Sequence, residues 1–565
     1  MPIPTSTTSA AEGTVLNFNP SPTDIERGAV ALIGQETNVS TNMDVRDASM
    51  AAEEKLNAFE IESMMGEDVY KAVRAVFDNK SEVASLGPED RQQLIRAGNK
   101  FNRNIKGSGK IVFTRDELEG LSSDFFEGRA TEVVDGQEEF VVTTKYPDII
   151  PVMKMAKREE TRERMFVVEE QRCPYNISIM QEAVALRLEA AQLLGYRTYV
   201  EFVLEENMAR APAPVLEFEE DLRLRLNVLA DKEIEEIEAL KKADKQAVGK
   251  PYTGLFGLVM ERKHNINDEE VKQYFPVKEV TRSILDIYQN MLSPRFVKID
   301  NPPVWHADIE MYEVWEATEE TFYPIVAMVS NFPKPTPSAP ALLTHDDATT
   351  LLHELGHVFH GICSVTKWAL FHGTRTEREF VEAPSQMLDN WSWEPSVPQK
   401  FAVHHQTGEP IPEALAKRLV AAKNEGAGLF NLRQLFFGLY DMGIHNTADG
   451  KVDVKELYNK LYEDIARFKI GSHDTWGIAT IGHMTGGYDA GYYGYMWSQV
   501  FSADMYASRF VKDGVFNPQT GLDYRYEILR PGSSRDAMDS LIKFMGHKPD
   551  SSTFLKSIGL DKNCT

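Results

Sequence analysis

The chain contains 565 residues, of which 42% are hydrophobic and 26% charged, and this composition excludes a disordered or fibrous protein. Its length exceeds what one hydrophobic core usually serves, so we expect two or more lobes, with a cleft between them as a common place for an active site. Acidic residues outnumber basic ones by 86 to 61, and the net charge of -25 argues against nucleic acid and anionic membranes as partners.

The sequence shows neither targeting signals nor a disulfide framework, and this pattern favours the cytoplasm. No apolar run approaches the roughly 20 residues of a membrane helix, and the first 26 residues contain no Lys or Arg with which a signal or transit peptide would begin. Cys173, Cys363 and Cys564 are too few and too widely spaced for a disulfide framework or a thiolate metal cage. We therefore expect a cytoplasmic protein whose cysteines are reduced and not catalytic.

Three regions follow one another along the chain. Residues 1–24 are rich in Ser, Thr and Pro and lack a periodic apolar pattern, which is typical of a flexible tail. Residues 25–300 show mostly helical periodicity and form a predicted helical N-terminal region. All 13 His lie at or after His264 and all 7 Trp at or after Trp305. We therefore assign residues 301–565 to the catalytic region.

Helical signals outnumber strand signals. Apolar residues recur at helical spacing between Leu222 and Ile237, and Gly195 follows two leucines where a left-handed residue would end a helix. The best strand signals lie at residues 140–144 and 325–329. These patterns predict a mainly α-helical fold with a small β element.

An HExxH motif lies in an apolar segment with helical spacing. Thr344 and Asp347 form a variant capping box that predicts the start of this helix. Since residues four apart lie one turn apart on the same face, His353 and His357 can bind one metal ion, and Glu354 then lies beside it. The alternative is a pair of unrelated helix histidines, which the apolar setting and the acidic helix that follows disfavour.

Two imidazoles leave a catalytic zinc site incomplete, because the pattern of two His and one Glu needs a carboxylate from another element. Glu382, in a second predicted helix, is our choice, and Glu377 and Glu379 are the local competitors. Pro384 either begins this helix or kinks it, so spacing alone leaves the direction of Glu382 open.

Two further residues of the HExxH helix receive structural interpretations. His360 lies one turn beyond His357, but three histidines on consecutive turns point progressively around a helix, so we expect His360 to be structural. Gly356 is unfavourable inside a helix by about 1 kcal/mol relative to Ala. Close packing of another helix is the favoured explanation, and approach of a substrate is the alternative.

A segment rich in glycine and tyrosine occupies residues 481–497. Its glycines loosen the backbone, and a Tyr hydroxyl or an imidazole N–H can stabilise the negative charge that peptide hydrolysis builds on the carbonyl oxygen. From the residues alone, a movable loop over a cleft and an aromatic-packed turn are both open.

Four ordered motifs, together with the segment ILRPG at 528–532, resemble the thimet oligopeptidase and neurolysin family: residues 331–335, the HELGH helix, residues 380–386 and residues 483–489. The similarity runs from about residue 81 to residue 560. It implies a mainly helical protein with two helical lobes flanking a deep channel that admits short peptides. It also implies a zincin-type catalytic helix and one zinc ion per chain, bound by His353, His357 and Glu382.

The resemblance also implies roles for the remaining motif residues. Glu354 is the expected general base that acts on the zinc-bound water. We expect His483, Tyr492 and Tyr495 to be catalytic, and we assign Tyr488 to substrate binding. Gly486 and Gly487 are assigned to substrate binding as well. The implied function is a zinc metalloendopeptidase, expected to be monomeric, that cleaves internal bonds of short oligopeptides in intracellular peptide turnover.

Two links are shorter than the family pattern, at residues 104–113 and 315–331. The second link normally carries strand-forming residues at the edge of the cleft, so a shorter one motivates a non-enzymatic alternative. That alternative is a peptide-binding or scaffold protein that keeps the fold. A mitochondrial processing peptidase of similar fold is a second alternative, disfavoured by the missing basic presequence.

Overall fold

The computed structural model describes residues 88–105, 109–248, 260, 263–302, 304, 309–315, 325–330, 332–335, 339–394, 396–470 and 473–560. The predicted tail at 1–24 lies outside these residues, as do 106–108 of the first short link and 316–324 and 331 of the second. Two units divide the chain: one holds the described residues between 294 and 320, and the other holds all the rest. The predicted regional boundary at residue 300 and the two-lobed channel stay predictions.

Helices dominate the described residues, which confirms the predicted fold class. The helices before residue 300 are α1 (Pro88–Ile105), α2 (Ser123–Phe126), α3 (Tyr146–Met155), α4 (Glu159–Glu170), α5 (Asn176–Leu193), α6 (Tyr199–Leu204), α7 (Pro212–Val248), α8 (Asp268–Val271) and α9 (Val277–Leu292). Those after it are α10 (His345–Cys363), α11 (Arg378–Val381), α12 (Ala383–Ser392), α13 (Pro398–Phe401), α14 (Glu413–Ala421), α15 (Ala427–His445), α16 (Val454–Asp464), α17 (Gly494–Met505), α18 (Pro518–Tyr524), α19 (Ala537–Met545) and α20 (Ser551–Ser557). None of these described helices is long and apolar enough to cross a bilayer.

The small β element is an antiparallel sheet in the larger unit, and a separate hairpin lies in the smaller one. The strands are β1 (Lys110–Phe113), β2 (Thr131–Val134), β3 (Gln137–Thr143), β4 (Arg295–Lys298) and β5 (Tyr312–Trp315). In the sheet β3 is central and pairs with both β1 and β2, while β4 pairs with β5. Asp135 and Gly136 join β2 to β3 with positive φ angles of 50° and 82°, the conformation that a two-residue hairpin turn requires.

One strand prediction is confirmed and one is wrong. Residues 140–143 lie in β3, as predicted, whereas residues 325–330 have no regular secondary structure. A strand needs a neighbour to pair with its backbone groups, and none of the described strands pairs with 325–330. An apolar, β-branched run is therefore not sufficient for a strand at this position.

The main core of the larger unit forms where α7 packs against α15. Leu222 and Leu226 are fully buried in it, whereas Ile234 and Ile237, farther along the same predicted stripe, are only half-buried. The predicted end of α5 at Gly195 is also confirmed. Gly195 has a φ of 90°, and the N–H of Tyr196 donates to the carbonyl of Ala191, as in a Schellman cap.

Close packing between α10 and α12 explains Gly356, as predicted. A Cβ atom at this position would lie 2.7 Å from Cα of Ser385 and 3.2 Å from Cδ1 of Leu388. Such distances are too short for any side chain, so glycine lets the backbone of α12 approach α10. This approach brings Glu382, at the start of α12, close to the histidines of α10.

Candidate metal centre and catalytic site

Helix α10 presents the HExxH residues on a partly open face. Its N-terminus carries the predicted capping box: the Thr344 hydroxyl accepts from the Asp347 N–H at 3.1 Å, and the Thr344 N–H donates to the Asp347 carboxylate at 2.9 Å. The rings of His353 and His357 lie 5.0 Å apart between centroids. Their side chains are 22% and 24% exposed, so both rings are held by packing and remain accessible.

Glu382 lies at the junction where α11 ends and α12 begins. Pro384 occupies the first turn of α12, so it begins that helix. Oε2 of Glu382 is 3.2 Å from Nε2 of His353 and 3.1 Å from Nε2 of His357. The structure thus brings together the three predicted ligands, whose donor atoms lie within 4.8 Å of one another.

This donor set fits a zinc ion. Ligand atoms about 2.0–2.2 Å from a tetrahedral ion lie roughly 3.3–3.5 Å apart, close to the two separations between Glu382 and the histidines. Two imidazoles and one carboxylate are also the donors of many catalytic zinc sites, in which a fourth position stays open for water or substrate.

The competing carboxylates are engaged elsewhere or lie outside this group. Oε1 of Glu379, which is fully buried, accepts from the Ala209 N–H at 2.8 Å and from the Tyr493 hydroxyl at 2.6 Å. Glu377 precedes the first residue of α11 and is not among the three grouped donors. The geometry therefore supports Glu382 as the third ligand, and this role stays a prediction.

The charges at the centre favour a bound cation. Burial alone would raise the pKa of Glu382, but hydrogen bonds with His353 and His357 hold it well below its usual range. Burial would lower the pKa of His353, but the carboxylates of Asp389 and Glu382 raise it well above its ordinary value. The carboxylates of Glu382 and Asp389 thus stabilise positive charge beside His353. A metal ion that replaces the imidazole proton supplies such a charge.

Glu354 faces a cavity of about 390 Å³ beside the three donors. One wall is the irregular segment 325–329, another is α10 through Glu354, His357 and Gly361, and residues 372–375 also line the cavity. Glu354 is half-buried, so its side chain is accessible from the cavity. The predicted general base therefore borders a space in which a peptide can lie next to His357.

The rings of the segment rich in glycine and tyrosine form one cluster next to Glu382. The His483 ring lies 5.4–5.9 Å from the rings of Tyr488, Tyr492 and Tyr495. The rings of Tyr488 and Tyr495 stack at 5.0 Å, and the Tyr488 hydroxyl donates to Oε1 of Glu382 at 2.6 Å. The segment is aromatic-packed, and it also reaches the candidate metal centre.

The three tyrosine hydroxyls differ in availability. Burial and the Glu382 carboxylate raise the pKa of Tyr488 to about 12, and the same causes raise that of Tyr495 further, so both hydroxyls keep their protons at neutral pH. Tyr492 is 6% exposed and its hydroxyl donates to Oε1 of Gln434 at 3.0 Å. A Tyr492 hydroxyl would need to leave Gln434 before it could donate to a substrate.

The predicted glycines and His360 occupy distinct positions. Gly486 and Gly487 are exposed next to Tyr488, and Gly487 has a φ of 92° that most other residues would adopt only with strain. The substrate-binding role of the glycines stays a prediction.

His360 is fully buried, and burial lowers its pKa to about 3, in keeping with a structural residue rather than a ligand.

Comparison with known proteins identifies the family. A family model described as peptidase family M3 matches residues 152–324 and 318–560. The chain belongs to peptidase family M3. This M3 peptidase is therefore a metallopeptidase, which favours the enzymatic interpretation over a peptide-binding scaffold.

Individual relatives of this M3 peptidase are similar over most of their length. It is 30% identical to saccharolysin of Saccharomyces cerevisiae, over 93% of this chain and 86% of that protein. It is also 30% identical to a thimet-like oligopeptidase of Dictyostelium discoideum, over 93% and 90%, and to oligopeptidase A of Escherichia coli, over 85% and 80%. An M32 carboxypeptidase structure from Deinococcus radiodurans has a TM-score of 0.52 at 13% identity over 94% of each chain, which shows a similar fold.

Asp389 contacts His353, one of the predicted metal ligands of this M3 peptidase. Its Oδ2 lies 3.3 Å from Nδ1 of His353, whereas the nearby Gln386 donates to the backbone carbonyl of Tyr495. A carboxylate at this position fixes the ring and strengthens the opposite nitrogen as a metal donor. We expect Asp389→Asn to lower zinc affinity by about 10- to 100-fold, measured by competition with a chromophoric chelator.

Unchanged zinc affinity in Asp389→Asn would remove this role from Asp389. The matched control is Asp346→Asn, which removes a carboxylate from the first turn of α10. Asp346 is exposed and pairs with Lys154 rather than with a site residue, so its loss should leave zinc affinity unchanged.

Sequence reasoning missed two residues that contact the segment rich in glycine and tyrosine. The guanidinium of Arg378 lies 4.6 Å from the ring centre of Tyr488. Asp441 accepts hydrogen bonds from the backbone N–H groups of Ala490 and Tyr492. Arg378 is the first residue of α11, two positions before the motif at 380–386, and a cationic side chain carries no metal-ligand signal. Nothing in the sequence links Asp441 to residues about 50 positions later.

Proposed function

We propose that this chain is a zinc endopeptidase that hydrolyses internal bonds of short peptides. The observation that carries the proposal is the convergence of the His353, His357 and Glu382 donor atoms beside Glu354 and its cavity. The printed names of the relatives, which include several oligopeptidases, support short peptides as the substrate class. The same arrangement supports one zinc ion per chain.

Glu354 acts as the general base in the proposed reaction. Its carboxylate takes a proton from the attacking water and passes it to the leaving amine, so one side chain serves both proton transfers. A bound zinc ion would polarise the scissile carbonyl and lower the pKa of the attacking water. His353, His357 and Glu382 would hold the ion, and Asp389 orients His353.

Neutral donors near Glu382 stabilise the negative charge that develops on the carbonyl oxygen. We assign this role to Tyr495 and His483, because the Tyr495 hydroxyl keeps its proton and both rings border the same cluster. Removal of one such donor typically lowers the rate by about 100- to 1000-fold. Tyr492 is buried whereas Tyr495 is half-buried, so Tyr492 is the weaker of the predicted catalytic tyrosines, and Tyr488 is kept for substrate binding.

The test is cleavage of a quenched fluorescent peptide of about ten residues by the purified full-length chain. We expect internal cleavage, identified by mass spectrometry of the products, that a chelator abolishes and added zinc restores. A folded protein that carries the same cleavable sequence in an exposed loop is the control for substrate size, and it should survive. Cleavage that persists after metal removal would contradict the proposal, as would no cleavage by zinc-loaded protein. We also propose that the protein is monomeric and cytoplasmic.

A further inference from the structure

Five polar side chains form a buried cluster that contacts the segment rich in glycine and tyrosine. They come from α5, α6, α15 and the segment itself, and none belongs to the candidate metal centre. We call them the anchoring cluster: Arg187, Tyr199, Asp441, His445 and Asp489. Arg187, Asp441 and His445 are each at most 5% exposed, so water does not compete strongly for their hydrogen bonds.

Asp441 connects the cluster to the backbone of the segment. Its Oδ1 accepts from the Ala490 N–H at 2.9 Å, and its Oδ2 accepts from the Tyr492 N–H at 3.0 Å. Ala490 is fully buried and has a φ of 55°, a conformation that few residues with a Cβ adopt. The carboxylate thus holds a turn that the sequence does not favour locally, between two of the predicted functional tyrosines.

The orientation of Asp441 is itself determined by the rest of the cluster. Nε2 of His445 lies 3.0 Å from a guanidinium nitrogen of Arg187, which can only donate, so Nε2 accepts. Nδ1 of His445 therefore carries the proton and donates to Oδ1 of Asp441 at 2.8 Å. The donor and the acceptor of each hydrogen bond from Arg187 through His445 to Asp441 are therefore fixed.

Arg187 and Tyr199 bind a neighbouring residue of the segment, Asp489. The other guanidinium nitrogen of Arg187 lies 3.3 Å from Oδ1 of Asp489, and the Tyr199 hydroxyl donates to Oδ2 of Asp489 at 2.5 Å. Residues 489, 490 and 492 of the segment are therefore each bound by a side chain from α5, α6 or α15. Tyr488, whose hydroxyl bonds to Glu382, directly precedes these attachment points, and Tyr495 follows them by one turn.

We propose that Asp441 is a positioning residue that fixes the segment so that the hydroxyls of Tyr488 and Tyr495 lie beside the metal ligands. The proposal rests on the function proposed above and adds a residue that touches neither substrate nor metal. Glycines at 486, 487, 491 and 494 leave this segment few local restraints of its own, so restraint comes from the buried carboxylate. A shift of about 1 Å in a group that contacts the transition state can lower a rate by about 100-fold.

The test compares Asp441→Asn with the parent protein. An amide has the same shape but presents an N–H₂ group where the carboxylate accepts, so one backbone N–H of the segment loses its acceptor. We expect kcat to fall about 10- to 100-fold, because Tyr495 is displaced, and KM to rise, because Tyr488 is displaced, with zinc content unchanged. We also expect faster amide hydrogen exchange across residues 486–497, measured on the full-length chain with and without zinc.

Glu233→Gln is the matched control. Glu233 is another carboxylate that accepts from two backbone N–H groups, those of Gly428 and Leu429 at the start of α15. Its amide variant should speed exchange near residue 428 and leave kcat and the exchange of residues 486–497 unchanged. This control distinguishes the general effect of losing a carboxylate–backbone hydrogen bond from the specific effect of losing the bonds between Asp441 and the segment.

Unchanged kcat and unchanged exchange of residues 486–497 in Asp441→Asn would overturn the proposal. A uniform loss of stability with kcat per folded molecule unchanged would do the same. If Asp441→Asn does not fold, Tyr199→Phe tests the proposal in its place, because it removes only the hydroxyl bound to Asp489. It should lower kcat and speed amide exchange of residues 486–497. An inactive parent protein would contradict the proposed function, whereas faster loop exchange in the variant would still support the anchoring role.

Discussion

Glu354→Gln is expected to abolish most peptide hydrolysis while the protein still binds its metal. Glutamine keeps the shape of the side chain but cannot take a proton from water, and loss of a general base typically lowers kcat by about 100- to 10,000-fold. Glu354 is not one of the three grouped donors, so zinc content should stay at one ion per chain. The measurement is kcat for the quenched fluorescent peptide together with zinc analysis of the same sample.

Asp346→Asn serves as the control for Glu354→Gln too. It changes a carboxylate on the same helix, about two turns earlier, where the side chain is exposed. This variant should keep the parent activity. Normal turnover by zinc-loaded Glu354→Gln would falsify the assignment of Glu354 as the base and would require another proton acceptor in the cavity.

Glu382→Ala is expected to lose the metal and, with it, the activity. Removal of a carboxylate that contacts both histidine nitrogens takes away one of three protein donors. The loss of zinc affinity should exceed the roughly 10- to 100-fold that follows removal of an outer partner such as Asp389. Zinc titration monitored with a chromophoric chelator measures this directly, and activity should return only in part at high zinc concentration.

Glu377→Gln distinguishes the ligand from its neighbour in sequence. Glu377 is acidic and lies five residues before Glu382, but it is not among the grouped donors. Its variant should bind zinc like the parent. Tight zinc binding by Glu382→Ala, combined with weak binding by Glu377→Gln, would reassign the third ligand.

The HExxH helix could be derived from sequence because each of its determinants is local. The Thr344 and Asp347 capping box defines its start, and the four-residue spacing of His353 and His357 defines a shared face. Gly356 is a further local signal, since glycine inside a helix indicates close approach of a neighbour, here Ser385. Such features depend on hydrogen bonds and periods that span only a few residues.

Other features of the site depend on contacts between distant parts of the chain. Residues 325–329 have the composition of a strand but no described partner, so composition gave the wrong structure there. The tyrosines of the segment at 481–497 are alike in sequence, yet Tyr488 bonds to Glu382 and Tyr492 bonds to Gln434. Which hydroxyl is free to act depends on these neighbours rather than on the motif.

The sequence by itself determined the paired histidines, the position of Glu354 beside them and the mainly helical fold, because helix periodicity and capping act over one or two turns. Only the tertiary structure decided that Glu382, rather than Glu377 or Glu379, meets those histidines, since that outcome depends on how closely α12 packs on α10. It also decided the role we assign to Asp441, whose partners at 490 and 492 come near it only when α15 and the following segment pack together. Burial makes these distant contacts strong and directional, and burial exists only in the folded chain.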